Sequence, residues 1–400
     1  MYMEKLQSFI KQIPVIPVET KISELSRTLL DKLIFQIGEG KKAWKRDKTY
    51  KEVVLDKGEN PKGGGYNSIV PEIRQEIEMF SKIGKRYSFI ISGRPIIIYA
   101  IYPYSQRISH KKVYDMLDKS VTKMYLWLYT AIKFAPVECS RELVIYWYLT
   151  NQKKVLPKKR NLVGAAEIAI DQIHANTAFT QACPLRSNTI YIFRKEEWFK
   201  VFIHETFHSF GMDFATMPES YAEKAMFSLF PVRCDLRFYE MYTEIWAEIM
   251  NVIFLSLDLC DKNQKGCHSK IYGEIEDRLE DERKFSLFQK TKILRHQKLK
   301  YRELCSPSHY QEKTHVFSYY ILKSISMFFY NDFIEWCVKH NKGTIVFKKI
   351  PGNIISLVDW IRSKHKDPSY IKVTDEMDKW FSKNSHKGDE MDTLRMSINE

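Results

Sequence analysis

Two histidines and a glutamate fall within little more than one helical turn of an otherwise apolar run, Trp198-Phe-Lys-Val-Phe-Ile-His204-Glu205-Thr-Phe-His208-Ser-Phe210. The run reads as a helix from about Glu196 to Phe210, with Gly211 placed for a left-handed C-terminal cap. Its apolar positions would bury most of the helix surface. Polar groups buried there need partners, because desolvating them unpaired costs free energy. Histidines four apart lie on one face of a helix, where both imidazoles can bind one Zn²⁺. The intervening Glu205 can take a proton from a zinc-bound water and pass it to a leaving amine. Zinc brings the pKa of such a water to about 7, which makes a nucleophile at neutral pH. The competing reading is a pair of satisfied core histidines. Three polar groups so close together on so buried a helix favour the metal.

A third ligand must come from elsewhere. A metzincin pattern, HExxHxxGxxH, is met by Gly211 but not by Phe214, and Asp213 is one residue short. A thermolysin-like interval would end within residues 226–230, which hold no glutamate. Glu223 and Glu244 remain as candidates. Glu244 is preferred, because it lies in an amphipathic helix, Tyr239 to Leu257, able to pack beside the motif helix. Glu248, four residues on, shares its face and would accept a proton from a ligand histidine, fixing its tautomer. A solvated stripe of Glu240, Glu244 and Glu248 is disfavoured by neighbours such as Ile245, Trp246, Ile249 and Met250.

HExxH followed by ExxA[DE] resembles the gluzincin clan of zinc metallopeptidases, which includes thermolysin-like and CAAX-prenyl-type endopeptidases. The match covers about fifty residues. It implies His204, His208 and Glu244 as ligands of one Zn²⁺, Glu205 as general base and Glu248 behind a ligand. Through NTAFT, FRKEEWFKVFIHETFHSFG and HVFSYY the chain also resembles uncharacterised predicted metallopeptidases of large DNA viruses. By resemblance to zincins, Asn176, Ala178 and Phe179 belong to an edge strand whose backbone pairs with an extended substrate. An ordinary strand and turn explains them equally well. The resemblance also asks for a hydrogen-bond donor to the oxyanion of the tetrahedral intermediate. Tyr319 is the first choice and His315, four residues earlier on the same face, the second. With 23 tyrosines in the chain, simple packing serves either residue as well.

The expected fold is α+β: a zincin-like core with a small sheet and the motif helix, a mostly helical C-terminal domain and an α/β N-terminal accessory region. The expected divisions are 1–135, with a mobile Lys/Gly-rich loop at 41–67; 136–215, with edge strand and motif helix; 216–384, helical, with the third ligand; and a frayed polar tail at 385–400. Residues 1–38 read as amphipathic helix. Ser92-Gly93-Arg94-Pro95 splits two β-rich runs into a hairpin. At 400 residues and 44% hydrophobic, the chain can bury sizeable cores. Seven scattered cysteines without a CxxC pair read against a disulfide framework and towards a reducing compartment. No secretory leader and no membrane span is expected, so the protein should be soluble and intracellular, in host cytoplasm or virion if viral.

The function expected is hydrolysis of peptide bonds, with peptide or protein substrates. Two alternatives stay open: a degenerate zincin scaffold binding protein or nucleic acid, and a zinc-dependent hydrolase of another bond. The net charge of +14 supports nucleic-acid binding only weakly, since the basic residues are dispersed.

Overall fold

The computed structural model describes residues 2–15, 20–47, 50–56, 59–80, 82–104, 108–157, 169–263, 270–384 and 388–400. Alternating apolar residues build the centre of a mixed sheet. Strands β2 (Lys82–Ile91) and β3 (Arg94–Pro103) form the expected hairpin, with Ile91 opposite Arg94. Its two-residue turn, Ser92 and Gly93, has φ of 48° and 79°, the paired positive values of a type I′ turn. The short β1 (Lys51–Val54) pairs antiparallel outside β2. On the other side β4 (Glu142–Tyr148) and β6 (Ser187–Ile192) run parallel to β3. The two-residue β5 (Ala178–Phe179) closes that edge antiparallel, giving the order β1-β2-β3-β4-β6-β5.

The two faces of the sheet meet different cover. Ile98, Ile145, Trp147, Ile190 and Ile192 join the main core, to which α4 (His110–Phe134) and the motif helix α6 (Trp198–Ser209) contribute. α2 (Glu24–Asp47) packs outside α4. The opposite face carries a row of stacked rings. Tyr99, Tyr146, Tyr191 and Phe179 follow one another at centroid separations of 5.1, 5.2 and 4.9 Å. The segment Asn60–Val70 and α3 (Pro71–Met79) cover this face through Tyr66, Ile69, Ile73 and Ile77. The remaining chain is helical. α8 (Phe238–Asn263) lies against α6 and α9 (Ile271–His296). A π-helical turn, Phe317–Leu322, runs into α10 (Lys323–Phe328), followed by α11 (Tyr330–His340), α12 (Pro351–Lys364) and α13 (Pro368–Lys383). One hydrophobic cluster reaches from Leu6 to Ile398. No helix among the described residues is long and apolar enough to cross a membrane.

Four expectations change. The N-terminal region is two helices, α1 (Tyr2–Gln12) and α2, rather than one pattern over 1–38. The stretch 41–67 contains the end of α2, β1 and a glycine segment packed on the sheet. A Cβ at Gly63 would meet Tyr191 Oη at 2.2 Å, and the Gly65 amide donates to that same hydroxyl at 2.9 Å. These glycines allow a close approach to tyrosines, which the reading as a mobile loop overlooked. The tail is not frayed. Leu394, Met396 and Ile398 are buried, and distant polar side chains capture the backbone around them. Glu197 accepts from the amides of Met396 and Ser397 at 3.0 and 2.7 Å; Glu282 accepts from those of Ile398 and Asn399 at 3.1 Å each. Finally, Cys139 and Cys183 form a disulfide across a separation of 44 residues, against the expectation that the scattered cysteines build no disulfide framework. Residues 385–387 of the expected tail lie outside the described residues.

Candidate metal centre

Helix α6 is fixed in rotation by its two faces. Towards α4, Trp127 Nε1 donates to Thr206 Oγ1 and the Trp127 ring stacks on Phe207 at 5.9 Å. The opposite face, carrying Lys200, His204 and His208, turns to α8. The helix ends as the sequence indicates, with Gly211 at φ 61°. A Cβ there would come within 2.8 Å of Cys139 Sγ, and the Cys183 amide donates to the His208 carbonyl at 3.0 Å. The disulfide thus ties the β5–β6 connection to the loop before β4, and the Cys183 amide bonds that connection to the end of the motif helix.

Three acceptor atoms converge between α6 and α8. His204 Nε2 and His208 Nε2 are 3.0 Å apart, and Glu240 Oε2 lies 3.1 Å from the first and 3.2 Å from the second. Each histidine meets another carboxylate through its Nδ1. His204 Nδ1 is 3.0 Å from Glu244 Oε2, and His208 Nδ1 contacts Asp213 Oδ2. When each ring donates Nδ1–H to its outer carboxylate, both Nε2 lone pairs and the Glu240 oxygen are left to face a single cation. The triangle also approaches a face of a tetrahedral zinc site, whose edges run about 3.3 Å for ligand bonds near 2.0 Å. All three residues are less than one-tenth exposed. The buried group His204, His208 and Glu240 could hold a metal ion.

The charges agree with this reading. Burial opposes a charge on His208, but Glu240 and Asp213 outweigh it and hold its pKa well above the ordinary value. Burial likewise opposes ionisation of Glu240, yet His208 and His204 pull its carboxyl well below the usual range. Opposite charge is what this pocket favours around the carboxylate, and a metal ion supplies it without protonating the ligands.

The sequence-derived residues fall into place unevenly. His204, Glu205 and His208 share one site. Burial raises the pKa of Glu205. Glu244 is near the cluster but does not complete it: one oxygen faces His204 Nδ1 and the other receives Lys200 Nζ at 2.5 Å. Glu240, one turn earlier, stands where Glu244 was expected. Glu248 is two turns, about 12 Å, beyond Glu240 on α8. It pairs with Lys323 at 2.7 Å rather than with a histidine. Glu223 sits half-buried on α7 (Ser220–Leu229), outside the cluster. Sequence reasoning missed the parts played by Asp213 and Glu240. The available signal was the i, i+4 spacing of Glu240 and Glu244, the spacing that the sequence reading applied to Glu244 and Glu248.

A small cavity of about 30 Å³, room for a water, lies beside the cluster. Its lining includes Asn176, Ala178, His204, Glu205 and Tyr319, with Met396 from the tail. The Tyr319 ring is 6.0 Å from that of His204. Burial, reinforced by the nearby carboxylates, raises its pKa well above the ordinary value, so the phenol keeps its proton. Tyr239, not singled out from the sequence, flanks the other side, 5.6 Å from the His208 ring. His315 does not line the cavity; its Nδ1 bonds the Asp235 carbonyl at 3.0 Å, and its ring contacts Tyr319. Asn176 accepts from Thr314 Oγ1 at 3.1 Å, tying the edge-strand segment to the chain before the π-helical turn. Phe179 points into the stacked row, away from the cluster.

No family model matches the chain, and neither a curated protein nor a solved structure shows significant similarity to it.

Proposed function

We propose that the chain is a zinc-dependent metallopeptidase with a zincin-like core, holding one Zn²⁺ on His204, His208 and Glu240. The observation that carries this reading is the convergence of His204 Nε2, His208 Nε2 and Glu240 Oε2 beside the buried Glu205 and a sheet edge. A bound zinc ion supplies a Lewis acid and lowers the pKa of a water to about 7. Glu205, desolvated and lining the same cavity, is placed to take a proton from the attacking water and return it to the leaving amine. Tyr319, held protonated, donates to the oxyanion. Among the described residues β5 is the edge strand of the sheet, and an extended peptide can add to it at Ala178 as a further antiparallel strand. Glu244 and Asp213 hold the Nδ1–H tautomers that turn both Nε2 atoms to the metal.

The test is a zinc-loaded preparation assayed against a broad peptide library, beside Glu205→Gln. Wild type should cleave peptides, and the variant should keep zinc while losing about 10²- to 10⁴-fold in rate. Absence of cleavage by the zinc-loaded wild type, or full activity in Glu205→Gln, would refute the assignment.

A further inference from the structure

We propose that Lys200 is a positioning residue of the metal site, acting through Glu244 on His204; this rests on the reading of His204, His208 and Glu240 as metal ligands. Lys200 precedes His204 by one turn on the same face of α6 and is 2% exposed. Its Nζ donates to Glu244 Oε1 at 2.5 Å, while Oε2 of the same carboxylate faces His204 Nδ1 at 3.0 Å. The two oxygens are thus divided between two donors, and the plane of the carboxylate is fixed from both ends. A carboxylate held in this way sets the rotation of the His204 ring, and with it the direction of Nε2 towards His208 and Glu240. The remaining contact of the ammonium is soft, Met396 Sδ at 3.7 Å. Without Lys200, a buried Glu244 would lose the cation it bonds directly and the bond that orients it.

A lysine serving only to neutralise buried charge would affect folding stability and leave the metal site alone. The two roles separate in one experiment on the full chain. Zn²⁺ affinity is measured by chelator competition for wild type, Lys200→Met, Glu244→Gln and the double variant. The visible d–d spectrum of the Co²⁺-loaded proteins is recorded alongside, because it reports ligand geometry. Lys200→Met should weaken Zn²⁺ binding about 10- to 100-fold, as removal of outer-shell partners does, and should change the Co²⁺ spectrum. In the Glu244→Gln background the same substitution should weaken binding no further. Equal Zn²⁺ affinity and an unchanged spectrum in Lys200→Met would overturn the proposal, as would fully additive losses in the double variant. The double variant removes both charges together. If Lys200→Met alone does not fold, the comparison of Glu244→Gln with the double variant decides. Failure of the wild type to bind Zn²⁺ would instead overturn the metal reading itself.

Discussion

Glu240 and Glu244, one turn apart on α8, face opposite nitrogens of the same imidazole. Glu240 Oε2 is 3.1 Å from His204 Nε2, and Glu244 Oε2 is 3.0 Å from Nδ1. The two carboxylates are chemically alike and both buried, yet their surroundings differ. The first shares the converging face with two histidines, and the second fixes which nitrogen of His204 carries the proton.

That division predicts unequal substitutions. Glu240→Ala should abolish stoichiometric Zn²⁺ binding. Glu244→Gln should retain it with affinity reduced about 10- to 100-fold. Competition against a chelator of known affinity distinguishes the two, and the reverse ranking would return Glu244 to the ligand position.

Acid should loosen the seat of the tail. Glu197 is fully buried, paired with Lys154 at 2.8 Å, and accepts from two tail amides. Burial favours its neutral form, but Lys154, Lys200 and Arg395 prevail and depress its pKa to about 2. A depressed carboxyl contributes stability above its unfolded pKa, near 4.5, and loses it as pH falls towards 2. The loss should reach about 3 kcal/mol. Denaturant melts across that window should show this slope in wild type and a flatter one in Glu197→Gln.

Adjacent glycines should respond differently to a methyl group. At Gly63 a Cβ would meet Tyr191 Oη at 2.2 Å and Tyr146 Cε2 at 2.6 Å; at Gly64 nothing lies within 4 Å. Gly63→Ala should cost about 1–3 kcal/mol as an overpacked contact, and Gly64→Ala should stay within about 0.5 kcal/mol of wild type. Equal stabilities in urea would show that the segment does not rest on the tyrosine row.

The Cys139–Cys183 bond closes a separation of 44 residues. Its removal in a Cys139→Ser/Cys183→Ser variant should lower stability by about 2–4 kcal/mol through restored freedom of the unfolded chain. Chemical denaturation with and without reductant measures this. Identical midpoints for oxidised and reduced wild type would contradict it.

The motif helix was legible because its determinants are local. The apolar spacing of Phe199, Phe202, Ile203 and Phe207, the histidine interval and Gly211 all lie within one element. So was the hairpin, through Ser92-Gly93. The third member of the cluster was legible only to within a turn. Glu240, Glu244 and Glu248 share one buried face of α8 at i, i+4 and i+8. Which of them meets the histidines depends on how far α8 slides along α6, and no local pattern encodes that. The tail misled for a related reason. Its composition is polar, but its partners Glu197, Glu282 and Lys323 are far away in the sequence. Gly63 and Gly65 read as freedom, whereas their smallness answers to tyrosines on β4 and β6. The disulfide joins residues that the parallel pairing of β4 and β6, distant in sequence, brings together.

His204, His208 and Glu240 form a buried group that could hold a metal ion. Elemental analysis of purified protein, after incubation with zinc and removal of the excess, tests it directly. About one zinc per chain is expected in wild type, and none in a His204→Ala/His208→Ala variant that still folds. A wild type without stoichiometric metal, or a double variant that retains it, would contradict the account.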